Sequence, residues 1–185
     1  MRILGIDGGI HGGCAVVNIV DDAAPQLLDA IDIPVVGIGA IQRVNALAIR
    51  AWIQMHQPDH AVIERGQAMP KQGASSGYKY GRSIGALEAT IALCEIPLTI
   101  VEPTAWKKFH NLHKAPGQTA TEVKEMSRQR ALQLFPAAHH LLSRRMDHGR
   151  AEAALLALVP IHGISAQAEK AQPKAPIASA TQQER

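Results

Sequence analysis

Residues Arg2–Asp7, RILGID, run straight into Gly8–Gly13, GGIHGG. The first stretch is apolar and stops on an acid, as expected of a buried strand whose last residue emerges at a sheet edge. The glycines after it supply the backbone freedom that a tight reversal requires. Beyond the turn, Cys14–Val20 is a second apolar run, Asp21–Pro25 is turn chemistry, and Gln26–Ile33 reads as a third strand. Three short strands on short connections predict an antiparallel meander.

The period then changes. Ile41–His56 sets Ile41, Val44, Leu47, Ala48, Ala51, Trp52 and Met55 on one predicted helical face. Gln57-Pro58-Asp59 ends that helix, and His60–Glu64 (HAVIE) is a short strand that again closes on an acid. A Gly/Ser/Lys-rich loop over Arg65–Gly77 leads into a helix reaching about Cys94. Pro97–Val101 is the next strand, a helix starts near Thr104, and His110–Gln118 is a basic loop. Helices follow over about Thr121–Leu134 and His148–Val159. Three antiparallel strands followed by two helix-to-strand crossovers predict an α/β fold. It has a mixed five-stranded sheet, three strands antiparallel and then two parallel, with helices on both faces. Residues 1–164 are expected to form one domain. The last 21 residues, 165–185, lack any hydrophobic period and are expected to be a disordered tail.

Composition narrows the class. Hydrophobic residues make up 46% of the 185 and aromatics only 3%, so the core must be aliphatic. No apolar stretch approaches the roughly 20 residues needed to cross a bilayer, and MRILGID does not resemble a secretory leader. Cys14 and Cys94 suggest no disulfide framework and fit two reduced thiols in a cytoplasmic protein. The net charge of +3 is unevenly spread: residues 1–64 carry 3 basic and 7 acidic side chains, residues 65–130 carry 10 and 5. A basic middle beside acidic clusters suits an enzyme that grips nucleic acid and holds cations with carboxylates.

Asp7 and Glu64 each end a predicted strand, and if those strands are neighbours both carboxylates leave the same sheet edge. Either acid alone is what any exposed strand end carries. Met146–Leu156, MDHGRAEAALL, adds Glu152 inside an Ala- and Leu-rich helix, where an unpartnered charge is costly to bury. His148 lies four residues before Glu152 and shares its face. Asp147 enters the helix and can serve either as an N-cap or as a further ligand. Converging carboxylates suit magnesium, with manganese as a substitute. Two such ions about 4 Å apart can activate water and stabilise the leaving oxygen of a phosphodiester. His110/His113 and His139/His140 lack a matching cysteine set, so zinc is not expected.

These segments resemble the RuvC family of Holliday junction resolvases, within the ribonuclease H-like superfamily. The resemblance runs over about residues 2–159. It is carried by ILGIDGG, QPDHAVIE, MPKQGASSGYKYGRSIGALEA, TAWKK and DHGRAEAALLAL, and is nearest the group found in phages and prophages. It implies a homodimer on a four-way junction, nicking strands by magnesium-dependent hydrolysis to leave a 5′-phosphate and a 3′-hydroxyl. It implies Asp7, Glu64 and Glu152 as metal ligands and puts Lys107 and Lys124 near the scissile phosphate. Gly149 occupies the position where the family carries its other late ligand, so Asp147 or His148 is expected to substitute, with Asp147 preferred. His148 is expected to act on the water or the leaving group, since imidazole titrates near neutrality. Gln67 stands where the family has an aromatic wedge, with Met69 and Tyr78 as the available substitutes.

Lys71, Ser75, Ser76, Tyr78, Lys79, Tyr80 and Arg82 cluster just after Glu64, and such groups hold phosphates without reading bases. With Lys107 and Lys124 they form the expected DNA surface. Gly77, Gly81 and Gly85 recur every four residues, a spacing for close packing on the sheet or on a second subunit. Rival readings are a nuclease acting on forks and flaps, and a non-catalytic junction-binding homologue. A sugar-kinase or actin-like ATP site is a third, but it needs a second domain and a second phosphate loop, so no nucleotide cofactor is expected.

Overall fold

The computed structural model describes residues 1–67 and 73–159. Lys71, Met69 and the expected tail at 165–185 lie outside the described residues. Seven strands and six α-helices occur among the described residues. The strands are β1 (Arg2–Asp7), β2 (Gly13–Asn18), β3 (Gln26–Asp32), β4 (Val35–Val36), β5 (Arg43–Val44), β6 (His60–Glu64) and β7 (Leu98–Val101). The helices are α1 (Ala46–His56), α2 (Ala74–Leu93), α3 (Pro103–Phe109), α4 (Ala120–Leu134), α5 (His139–Leu142) and α6 (His148–Leu156). The main sheet has the order β3-β2-β1-β6-β7. β1 pairs antiparallel with β2, and β2 with β3, whereas β1–β6 and β6–β7 are parallel. This is the mixed sheet that the strand and helix periods predict.

Strand alternation sorts the core into two layers. Ile3, Ala15, Val17, Val62 and Val101 join Trp106, Ala131 and the α6 residues Ala151–Leu156 on one face, apart from Glu152. Leu4, Ile6, Cys14, Val16, Ala61 and Ile63 pack against α1 and α2 on the other. Side chains two apart share a face, so Asp7 follows Ile3 and Gly5, and Glu64 follows Val62. Both acids therefore belong to the α6 side. The β1–β6 register pairs Ile6 with Ile63, so the two acids leave adjacent strands in step.

The segment around residue 41 departs from expectation. Instead of a helix from Ile41, the chain makes a β4–β5 ribbon with a 3-10 turn at Gly39–Ile41. The helix begins only at Ala46, where the Asn45 side chain accepts from the Ala48 N–H. Its buried face is Ile49, Trp52 and Ile53, while Leu47 and Met55 are 79% and 69% exposed. The predicted face was out of phase because Ile41 and Val44, which anchored it, belong to the ribbon. Helix α2 starts at Ala74, so Ser75 and Ser76 sit on a helix rather than in the loop. Helix α4 carries a capping box between Thr119 and Glu122.

Helix α6 lies directly on β1 and β2, and glycines make that possible. A Cβ on Gly5 would stand 1.9 Å from the Ala153 carbonyl oxygen, and one on Gly13 2.6 Å from the Arg150 nitrogen. A Cβ on Gly149 would stand 2.7 Å from the backbone carbon of Gly12. In an ordinary helix interior, Gly→Ala stabilises by about 1 kcal/mol. Here Gly149→Ala is expected to destabilise by about 1–3 kcal/mol through overpacking, seen as a lower urea midpoint. A midpoint equal to or above wild type would contradict this packing.

Candidate nuclease site

Three acids from three elements share one electrostatic environment. Asp7 ends β1, Glu64 ends β6, and Glu152 sits in α6 above them. Burial first, then Glu152 and Glu64, drives the Asp7 carboxyl well above its ordinary value. Burial likewise raises Glu64 and Glu152. Lys107 of α3 and Lys124 of α4 oppose all this at Asp7 and at Glu152, and Lys107 does so at Glu64. The sequence-predicted acids Asp7, Glu64 and Glu152 and both lysines are thus brought together.

The two glutamates are held by neutral donors. Trp106 Nε1 donates to Glu64 Oε2 at 2.7 Å, and Ser127 Oγ donates to Glu152 Oε1 at 3.0 Å. Neither residue was singled out from sequence, since a Trp and a Ser at helical spacing look like ordinary core and surface. Among the described residues, no three His, Cys, Asp or Glu side chains stand close enough together to hold an ion as placed. The donor chemistry nonetheless fits a hard divalent cation: carboxylate oxygens, mutually repelling and short of positive charge.

Asp147 is not part of this group, contrary to expectation. It is 1% exposed and occupies the N-cap position, but its side chain makes no capping bond. Its Oδ2 accepts from the Arg144 backbone N–H at 2.7 Å, and Oδ1 accepts from Arg144 Nε at 2.9 Å. Arg150 adds a contact at 3.9 Å and is itself tied to Asp32 through two bonds of 2.8 Å. The carboxylate is therefore consumed by a guanidinium network at the end of β3. His148, by contrast, meets a lysine that lines the groove: Lys124 Nζ donates to its Nε2 at 3.2 Å.

A groove of about 370 Å³ runs from Asp7 and Glu152 along α2. Asp7, the turn at Gly8–Gly12, Glu152 and Lys124 line one side. Ser76, Lys79, Tyr80 and Ser83 line the other, spaced as one helical face. Gly39 and Gln42 also line it; Gln42 falls inside the helix that the sequence predicts from Ile41, which hides its place beside the groove. Of the expected DNA-facing residues, Ser76, Lys79, Tyr80 and Lys124 reach this groove; Ser75, Tyr78, Arg82 and Lys107 do not line it. Arg82 instead donates to the Gln42 carbonyl at 2.9 Å and stacks 5.8 Å from the exposed Tyr78 ring. Tyr80 is pushed up to about 12 by burial, then by Glu64 and Asp7. Gln67 donates to Glu102, which also pairs with Arg65. His110 is buried and donates to the Leu155 carbonyl, a structural role.

The strand order and its antiparallel and parallel pairings define an α/β domain built on a mixed five-stranded sheet. Its fold is that of RuvC-type Holliday junction resolvases. T. thermophilus RuvC in complex with Holliday junction substrate superposes with a TM-score of 0.60 at 19% identity, over 90% of this chain and 96% of that one. Fowlpox virus resolvase with Holliday junction DNA gives 0.51 at 14% identity over 92% and 98%. The yeast mitochondrial Holliday junction resolvase gives 0.52 at 13% identity over 84% and 77%. No protein-family model and no curated protein sequence matches the chain. Among the described residues, no helix is long and apolar enough to cross a membrane.

The raised carboxyls have a thermodynamic consequence. Each keeps its proton in the folded chain at pH values where the unfolded chain has lost it. Their stabilising contribution is full below the ordinary carboxylate range and is lost as pH rises through the elevated folded values. Asp7→Asn removes the carboxyl that burial and both glutamates push upward. In EDTA at neutral pH it is expected to raise the melting temperature by roughly 2–4 °C, the effect of about 1 kcal/mol in a domain of this size. The gain should shrink as pH falls toward the ordinary carboxylate range, measured by scanning calorimetry. A neutral-pH melting temperature below wild type would mean the carboxylate is net stabilised instead.

Proposed function

We propose that this protein is a structure-selective DNA endonuclease that resolves four-way junctions by divalent-metal-dependent phosphodiester hydrolysis. The observation carrying this reading is the convergence of Asp7, Glu64 and Glu152 with Lys107 and Lys124 at one sheet edge. The fold shared with junction resolvases supports it. Asp7, Glu64 and Glu152 would hold magnesium or manganese, two ions per site. Bound there, such ions would activate a water and stabilise the leaving 3′ oxygen. A 5′-phosphate and a ligatable 3′-hydroxyl would result.

His148 rather than Asp147 is the better fourth ligand. The Nε2 lone pair that accepts from Lys124 is the one an ion would take, whereas both Asp147 oxygens are bound by Arg144. Lys124 and Lys107 offset carboxylate charge and sit where a scissile phosphate would be held. Ser76 and Lys79 extend that grip along the groove. A homodimer would present two such sites to two strands. The outer face of α2, where Cβ atoms on Gly77, Gly81 and Gly85 would meet nothing, leaves room for a second copy.

The test is cleavage of end-labelled four-way junctions, forks and linear duplex with magnesium. Wild type is expected to cut the junction; Asp7→Asn and Glu64→Gln should each lose at least about 100-fold in rate, the scale set by removing one stabilising group. Junctions left uncut by wild type, or full activity in both variants, would overturn the reading. Forks cut as fast as junctions would broaden the substrate to branched DNA in general. His148→Ala should cost more activity than Asp147→Asn in protein shown to be folded; the reverse order would return the role to Asp147. Lys79→Ala should weaken binding to all DNA alike and lower the salt slope by about 1. An unchanged slope would remove Lys79 from the DNA surface.

A further inference from the structure

Trp106 is fully buried, yet its polar atom and its ring face both serve the site. Its Nε1 donates to Glu64 Oε2 at 2.7 Å, and Lys107 Nζ lies 5.1 Å from its ring centroid. The ring meets His110 edge-on, and His110 in turn donates to the Leu155 carbonyl of α6. One indole thus links Glu64 of β6, Lys107 of α3 and, through His110, the helix that carries Glu152. Ser127 does the corresponding work for Glu152, bonding Oε1.

We propose that Trp106 is a positioning residue that fixes Glu64 by one oxygen, and that with Ser127 it determines which carboxylate oxygen each glutamate offers to a divalent cation. This rests on the metal-dependent reading above. The physical argument concerns the kind of donor. An arginine or lysine hydrogen-bonded to a carboxylate neutralises it and competes with an incoming cation, whereas an indole N–H or a hydroxyl orients the group and leaves its charge intact. Among the described residues, Glu64 Oε1 and Glu152 Oε2 accept no hydrogen bond, so the oxygens not held by Trp106 and Ser127 remain for an ion. Asp29 provides the internal contrast. It also accepts from an indole, Trp52 Nε1 at 2.8 Å, but its Oδ2 is shared with His56 and its Oδ1 with the Ala30 N–H, so the group is saturated. Trp106 leaves one oxygen open where the Asp29 cluster leaves none.

Trp106→Phe keeps the packed ring and a face for Lys107 while deleting the N–H. Partners that orient a ligand typically contribute 10–100-fold to metal affinity. Titration of the folded variant with Mn2+ should therefore show binding weakened by about 10-fold or more. The magnesium concentration for half-maximal junction cleavage should rise by a similar factor, and the rate at saturating magnesium should largely recover. Wild-type affinity in folded Trp106→Phe would overturn the proposal while leaving the nuclease reading intact. Wild type that neither binds Mn2+ nor cuts junctions would remove both. A second measurement does not need that variant to fold. In Trp52→Phe protein Trp106 is the sole tryptophan, and paramagnetic Mn2+ at cleavage-supporting concentrations should quench its emission. Glu64→Gln in the same background should abolish the quenching. Emission unmoved by Mn2+, or quenched equally without the Glu64 carboxylate, would equally overturn the proposal.

Discussion

The contact between helix α6 and the β1–β2 pair is the constraint on which the rest of this structure depends. It is made backbone to backbone. Gly5 and Gly13 on the sheet and Gly149 on the helix approach so closely that any Cβ would collide with main-chain atoms across the contact. Such closeness lowers Ala151, Ala153, Ala154 and Leu155 into the core. It also sets Glu152 near enough to Asp7 to act on its charge. A larger residue at any of these positions would lift the helix and with it the third acid. The glycine turn after Asp7 therefore serves two ends: it reverses the chain and it provides the floor under α6.

That packing also explains the departure at residue 149. A side chain there has no space above Gly12, so no ligand can project from it. One turn earlier on the same face as Glu152 is His148, which reaches Lys124. Asp147, one residue further back, is rotated toward β3 and its arginines. A shift of one residue in a helix rotates a side chain by roughly 100°, enough to turn His148 toward Lys124 and Asp147 toward Arg144.

The pattern of partners divides the carboxylates more sharply than burial does. Asp147, Asp32 and Glu125 are met by guanidinium groups. Hydrogen bonds from Arg150 lower Asp32, and those from Arg128 bring Glu125 to about 2. Their charge is settled within the protein. Asp7, Glu64 and Glu152 instead move upward, with only neutral donors in contact and lysines at a distance. Asp147 is the most deeply buried carboxylate of the six, yet it belongs to the first set. Burial cost alone does not separate Glu152 from Asp147: the arginines that compensate Asp147 lie three residues away on either side, and Glu152 has a serine instead.

What sequence makes legible here is what depends on short-range pattern. Strand alternation, short turns and helical periods are local, and the mixed sheet follows from them. The ribbon at Val35–Val44 is not local: its two short strands are held by each other and by Arg82 reaching back to Gln42 from a distant helix. Ile41 and Val44 share a helical spacing with Leu47 by coincidence, and only the Asn45 cap shows that the helix starts beyond them. Trp106 and Ser127 were illegible for a related reason. Nothing in TAWKK or EMSRQ indicates that an indole N–H or a hydroxyl will meet a glutamate from another element. The acids can be read from their own segments, but the neutral donors that meet the two glutamates come from α3 and α4. It is the tertiary fold alone that turns three isolated carboxylates into a site short of positive charge, and that deficit is what a divalent cation would relieve.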